Sequence, residues 1–186
     1  MIMFKMKIVF FLFLFFTLST SCFHRDSTNI TSIEVSFIKG NVEKPIPISC
    51  GALAFMRGGI VKDTVLSGVK ELSEIELQLS SMKEKNMDST VHSCDVRIHC
   101  LVHFKNNKTI KLCIGQFNCI VEDNIRMINN DTLIYLIRKG TGYYNYFSKD
   151  DLAYFDELKQ FGIPNDYKDL SSTKNLGLPH PPQPPQ

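Results

Sequence analysis

A short polar strip is the first feature of this chain that could carry chemistry. Asp95, Arg97 and His99 occupy every second position of an apolar segment, so on a β-strand their side chains would lie on one face. Such a strip could bind an anionic ligand through Arg97, with His99 as a general acid or base. The same alternation is typical of the solvated face of a half-buried sheet. The pattern therefore predicts ligand-contact candidates without an assembled catalytic set.

A tyrosine-rich loop is the second candidate. The segment 140–147 reads Gly-Thr-Gly-Tyr-Tyr-Asn-Tyr-Phe. Aromatic rings on a loop with two glycines could stack on sugar rings or line a peptide groove. This makes Tyr143, Tyr144 and Tyr146 candidates for ligand contact. The same rings could equally fold back and cover one end of the core.

The cysteines favour disulfides in an oxidising compartment. A two- or four-residue turn at the central Asn-Asn pair would join two strands into a hairpin. Counting back from that turn places Cys100 opposite Cys113, and likewise Cys94 opposite Cys119. Opposed positions on one face suit cross-strand bridges, although buried, reduced thiols fit the same pattern. Pairings that involve Cys50 stay open.

The same hairpin register argues against a metal site. The two cysteine pairs would lie about 20 Å apart along the strands, whereas a zinc–sulfur bond is about 2.3 Å long. The sequence contains no motif of a zinc protease, a phosphate-binding loop or a nucleophile elbow. We therefore expect neither a metal nor a cofactor.

The first 22 residues have the pattern of an export signal. Lys5 and Lys7 precede the apolar run Ile8–Leu18, which is shorter than the roughly 20 apolar residues that span a bilayer. The residues Ser19-Thr20-Ser21-Cys22 that follow resemble the cleavage site of small bacterial lipoproteins. This resemblance implies a mature chain that begins at Cys22 and is anchored to a membrane by a lipid on that cysteine. Cleavage without lipidation is the alternative and would give a soluble secreted protein.

Hydrophobic patterns place the candidate residues in a sheet with two helices. Strands are predicted over 30–38, 46–56, 60–66, 94–104, 109–121, 125–128 and 132–138. Two capping boxes, Ser73 with Glu76 and Ser148 with Asp151, predict helices over 73–86 and 149–161. Gly162 would end the second helix. Because strands and helices do not alternate regularly, we expect an α+β domain with a mainly antiparallel sheet packed by two helices.

These elements divide the chain into four parts. We expect a signal peptide over 1–21, a polar tether over 22–29, a single α+β domain over 30–170 and a disordered Pro-rich tail over 171–186.

Composition and charge limit the function. The net charge is only +2 and the basic residues are scattered, which does not favour nucleic-acid binding. We expect an exported, lipid-anchored protein of the cell envelope with a non-enzymatic binding or accessory role, such as a protein-binding or inhibitory factor. Its partner would be an envelope protein or a glycan. The alternatives are a small envelope enzyme that acts on cell-wall or glycan material and a structural envelope component.

Overall fold

The protein is described here by a computed structural model that covers residues 28–42, 46–86 and 94–171. Its strands are β1 (Ile30–Ile38), β2 (Val61–Leu66), β3 (Val96–Phe104), β4 (Thr109–Gly115), β5 (Ile120–Glu122) and β6 (Ile125–Met127). Its α-helices are α1 (Cys50–Phe55), α2 (Val69–Ser80), α3 (Asp131–Gly140) and α4 (Asp156–Phe161), with 3-10 helices at Tyr143–Tyr146 and Asp151–Tyr154. The strands form one antiparallel sheet in the order β2-β1-β3-β4-β5-β6. The predicted single-domain α+β class is confirmed.

The main core lies on one face of this sheet. Alternate residues of the central strands, such as Ile33, Ile98 and Leu112, are fully buried there. They belong to one apolar cluster with side chains of α2 and α3, among them Ile75 and Ile137. Each helix buries an apolar stripe in this cluster, and this burial is the contribution that holds the helices against the sheet.

A smaller core covers one end of the opposite face. Leu53 of α1 packs there with Ile38, Val96 and Cys113. The sheet is therefore buried on both faces at this end, and the polar residues of β3 that point to the second face are partly enclosed as well.

The central hairpin has a register that differs by one residue from the predicted one. The Phe104 amide donates to the Lys108 carbonyl, so the turn contains the three residues 105–107. Asn107 adopts a left-handed conformation with φ of 62°, as in three-residue hairpin loops. His99, not Cys100, is therefore opposite Cys113. Because side chains alternate between faces, this one-residue shift places Cys100 in the main core and Cys113 in the smaller one.

Two predicted strands are helices. Segment 46–56 contains α1, whose N-cap Ser49 accepts a hydrogen bond from the Ala52 amide. Segment 132–138 lies in α3, whose N-cap Asn130 accepts one from the Leu133 amide. Both predictions are wrong because runs of apolar and β-branched residues resemble strands, whereas the caps decide the local conformation.

One of the two predicted capping boxes is present. The Ser148 hydroxyl accepts from the Asp151 amide, while the Asp151 carboxylate accepts from the Ser148 amide. The Ser73/Glu76 box is wrong because α2 already begins at Val69.

The structure describes only short parts of the predicted segments that flank the domain. The signal peptide, Cys22, the tether as far as residue 27 and the tail from residue 172 lie outside the described residues. Thr28 and Asn29 of the predicted tether belong to the domain, because both donate hydrogen bonds to the Glu76 carboxylate at 2.6 and 2.8 Å. In the three described ranges we find no helix with the length and apolarity needed to cross a membrane.

Candidate functional site

A cleft of about 280 Å³ opens where three segments meet at one end of the sheet. The segments are the loop after β1, the turn between β4 and β5, and the chain that follows α3. We call it the aromatic cleft; its lining residues are Gly40, Asn41, Arg97, Gln116, Phe117, Tyr143, Phe147, Asp151, Tyr154 and Phe155. Half of these residues carry aromatic rings, which favours an apolar or flat group as the occupant.

Three aromatic rings form a rigid wall of the cleft. Gly142, with φ of 65°, follows α3 and is the N-cap of the 3-10 helix that carries Tyr143. The ring centroid of Phe147 lies 4.9 Å from that of Tyr143 and 4.9 Å from that of Phe155. Edge-on and tilted contacts at this distance are the favoured geometries of aromatic pairs.

Arg97 connects the loop, the strand and the turn around the cleft. Its guanidinium donates hydrogen bonds to the Asp95 carboxylate at 2.6 Å, to the Val42 carbonyl at 2.6 Å and to the Gln116 side-chain carbonyl at 2.9 Å. Asp95 also accepts from the Ile48 amide at 2.9 Å. Both charged groups are therefore engaged in holding the loop, the strand and the turn together, and the Arg97 charge is balanced by Asp95.

A buried ionic network lies behind the aromatic wall. Arg138 and Glu157 form an ion pair in which both side chains are fully buried. The Glu157 carboxylate also accepts from the Tyr144 hydroxyl at 2.8 Å and from the Asn118 amide at 3.1 Å. Burial, followed by the neighbouring Glu157 carboxylate, raises the pKa of Tyr144 well above its ordinary range. The network joins α3, α4 and the turn that carries Phe117, so it sets the positions of two sides of the cleft.

Exposed aromatic rings form the rim. Phe117 and Tyr154 are 81% and 86% exposed, although both rings line the cleft. Large apolar side chains grouped beside a cleft are typical of binding surfaces.

The polar strip predicted from sequence divides between two places. Arg97 lines the cleft, and Asp95 lies behind it as the partner of Arg97. His99 does not line the cleft and is only 6% exposed. Burial, and to a lesser degree the nearby Lys111 ammonium, lowers the pKa of His99. The strip is thus not a solvated face, because the segment before α1 and α1 itself cover it.

The three tyrosines of the tyrosine-rich loop also lie in different surroundings. Tyr143 lines the cleft and is 2% exposed. Tyr144 is 1% exposed, and its hydroxyl is bonded to Glu157, so it is a core residue and not a ligand contact. Tyr146 packs against Phe37 outside the cleft lining. Two sequence features predicted separately, Arg97 and Tyr143, therefore meet in one cleft.

The described residues contain two disulfides. The first, Cys94–Cys119, is a predicted pair, and we call it the outer disulfide. The second, Cys50–Cys113, which we call the inner disulfide, replaces the predicted Cys100–Cys113 bridge. That predicted bridge is wrong because the one-residue shift of the hairpin turns Cys100 to the main core, where it is a buried free thiol. Burial raises the pKa of the Cys100 thiol to about 12.

Several lining residues were not among the sequence candidates. Phe117 lies in the predicted strand 109–121 and Phe155 in the predicted helix 149–161, where apolar residues are expected in the core. Asn41 lies in the loop after β1, Gln116 in the turn between β4 and β5, and Tyr154 at the end of a 3-10 helix. Loop residues of this kind are brought together only by the tertiary fold.

Comparison with known proteins gives no match to this chain, whether with family models, with curated proteins or with solved structures.

Proposed function

We propose that the protein is an exported binding protein of the cell envelope, which receives an apolar side chain of a protein partner in the aromatic cleft. The observation that carries this proposal is the cleft itself, with a rigid aromatic wall and two exposed rings at its rim. Interfaces draw most of their energy from a few aromatic residues at well-packed pockets. A volume of about 280 Å³ suits one large side chain.

The charged groups of the cleft favour binding over catalysis. Arg97 is paired with Asp95, and the Asp151 carboxylate accepts hydrogen bonds from Ser148. Both groups are engaged in the walls of the cleft, and His99 lies outside its lining. The enzymatic alternative uses Asp95, Arg97 and His99, or the tyrosine-rich loop, in one pocket. Of the first set only Arg97 lines the cleft, which counts against that form of the alternative.

The cysteines support an oxidising compartment. Two disulfides are typical of proteins that mature in an oxidising environment outside the cytoplasm. The proposed lipid anchor on Cys22 rests on the leader sequence. Oligomerisation through Cys50 would favour the structural-component alternative, but the inner disulfide uses that cysteine within one chain.

Binding through the cleft is tested by removing the rim rings. The exported protein is immobilised as wild type, Phe117→Ala, Tyr154→Ala and Phe55→Ala, and exposed to extracts of the cell envelope. Phe55 is the matched control, because it is 84% exposed and does not line the cleft. We expect one partner to bind saturably to wild type and to Phe55→Ala, with affinity at least tenfold lower for the two rim variants. Equal binding to all four proteins, or no saturable partner, would contradict the proposal.

A glycan occupant is the second candidate, because exposed aromatic rings also stack on sugar rings. Sedimentation of the same four proteins with purified cell-wall material separates the two cases. Retention on the wall that depends on Phe117 and Tyr154 would assign the cleft to a glycan, whereas absence of retention would leave the protein partner as the occupant.

The anchor is tested by the intact mass of the exported protein. We expect a chain that begins at Cys22 and carries acyl groups, and a Cys22→Ser variant that is released from the membrane. An unmodified mass that begins at residue 22 would instead define a soluble secreted protein.

A further inference from the structure

Three metal-ligating side chains meet on the second face of the sheet, outside the lining of the aromatic cleft. Cys50, His99 and Cys113 each bring one donor atom to within 4.8 Å of the other two. His99 and Cys113 are directly opposed on β3 and β4, and Cys50 reaches them as the first residue of α1. In the oxidised protein the two sulfurs form the inner disulfide, so only the imidazole is available.

The imidazole of His99 gives an independent indication of a missing ligand. Its side chain is more than nine-tenths buried, and its Nε2 atom has no hydrogen-bond partner in the described part of the structure. Buried polar atoms are almost always paired, so an orphan nitrogen requires an explanation in an imidazole that brings one ring nitrogen within 4.8 Å of two sulfurs. A metal ion is the partner that would suit one nitrogen and two sulfur atoms together.

We propose that reduction of the inner disulfide converts this cluster into a Cys₂His site for a thiophilic metal ion of the Zn²⁺ type. A dithiol supplies two electrons and two protons to the S–S bond, which breaks into two thiols while the dithiol closes to its own disulfide. The metal ion then displaces the two thiol protons to water. Two metal–sulfur bonds form with Cys50 and Cys113, and one metal–nitrogen bond forms with His99.

The geometry needs only small movements. Tetrahedral bonds of about 2.0–2.3 Å separate neighbouring ligand atoms by roughly 3.5–3.8 Å. The donors already lie within 4.8 Å, and the two sulfurs are free to separate once their bond is broken. Cys50 is half-buried, which leaves solvent access for a water molecule as the fourth ligand, as in zinc sites with three protein ligands.

The first test uses the unaltered exported protein. It is reduced with a phosphine, which does not compete for the metal as a dithiol does, and then alkylated with and without one equivalent of Zn²⁺. Mass spectrometry of the peptides reports the protection of each cysteine. We expect Zn²⁺ to slow the alkylation of Cys50 and Cys113 at least tenfold and to leave Cys94 and Cys119 unprotected. Equal protection of both pairs, or protection of neither, would overturn the proposal.

The second test compares matched variants by Co²⁺ absorption, which shows thiolate-to-metal charge transfer. Cys94→Ser/Cys119→Ser retains the proposed site, whereas Cys50→Ser/Cys113→Ser retains only the outer pair; within the described residues no third donor is grouped with that pair. After reduction we expect one tightly bound Co²⁺ in the first variant alone, and none before reduction. Adding His99→Leu to the first variant should weaken Co²⁺ binding at least tenfold. Unchanged affinity without the imidazole, with circular dichroism showing an intact fold, would refute the role of His99.

Discussion

Removal of the Glu157 charge is expected to give the largest loss of stability among single conservative substitutions in this domain. One carboxylate oxygen accepts from Arg138 and from the Tyr144 hydroxyl, and the other accepts from the Asn118 amide. Both members of the ion pair are fully buried. In Glu157→Gln the shape is kept, but the Arg138 charge is left in the interior without a counter-ion. Breaking a buried pair in this way costs about 3–5 kcal/mol.

This loss is large relative to the total free energy of unfolding of a domain. Domains unfold with about 5–15 kcal/mol, and in a chain of this size each kcal/mol lowers Tm by about 2–4 °C. We therefore expect Tm of Glu157→Gln to fall by roughly 6–20 °C. Circular dichroism during reversible thermal and urea unfolding, with the disulfides intact, measures the change.

Two further variants make the reasoning refutable. Asp156→Asn, on the same helix, removes an ion pair with Lys159 whose side chains are about 70% exposed, and Tm should stay close to that of wild type. Arg138→Met/Glu157→Gln removes both charges, so it should be more stable than Glu157→Gln alone. If Glu157→Gln loses less than about 1 kcal/mol, well below the range for a broken buried pair, or if the double variant is no more stable than Glu157→Gln, an uncompensated charge is not the cause.

Three further outcomes are expected. A Cβ at Gly115 would lie 2.6 and 2.7 Å from the two sulfurs of the outer disulfide, so Gly115→Ala should leave this bond open. Thiol labelling counts the open cysteines. Gly51→Ala, with open space around the added Cβ, should keep the bond closed. In the oxidised protein the Cys100 thiol should resist alkylation at neutral pH until the domain unfolds, because it is fully buried and burial raises its pKa to about 12; rapid labelling of the native protein would contradict this core position. Burial raises the pKa of Glu76, but hydrogen bonds from Thr28 and Asn29 outweigh it and hold the pKa below the ordinary 4.5. This contribution is present above pH 4.5 and is lost as pH falls through the lowered value, so the Tm difference between wild type and Glu76→Gln should shrink in acid, and a difference constant with pH would refute it.

Features with local causes were predictable from the sequence. The Ser148/Asp151 capping box and the Gly162 stop follow from hydrogen bonds and backbone angles within a few residues. Alternating apolar residues of β1 likewise predict one buried face. The antiparallel α+β class follows from the order of such local elements.

The register of the central hairpin could not be predicted in the same way. Two-, three- and four-residue turns at the Asn-Asn pair all satisfy local preferences, and Asn107 in a left-handed conformation selects three residues. An odd loop length moves every following side chain to the other face. This one-residue change of register separates Cys100 from Cys113 and brings His99 beside Cys113. The outer disulfide still forms, because its cysteines lie at the end of the hairpin, where the pairing is irregular.

The segment before α1 and α1 itself cover the second face of the sheet, and this cover explains why the polar strip lies inside the protein. An alternating strand is solvated only if nothing packs on its polar side, and here the segment before α1 returns to that side. It is attached through the Val42 carbonyl, which accepts from Arg97, and through the Ile48 amide, which donates to Asp95. The inner disulfide then fastens Cys50 at the end of the same segment. These two backbone groups thus meet charged side chains, and the Ile48 carbonyl accepts from the Val96 amide, as buried polar groups require. Asp95 and Arg97, whose spacing first indicated a ligand site, thus hold in place the loop that forms one side of the aromatic cleft.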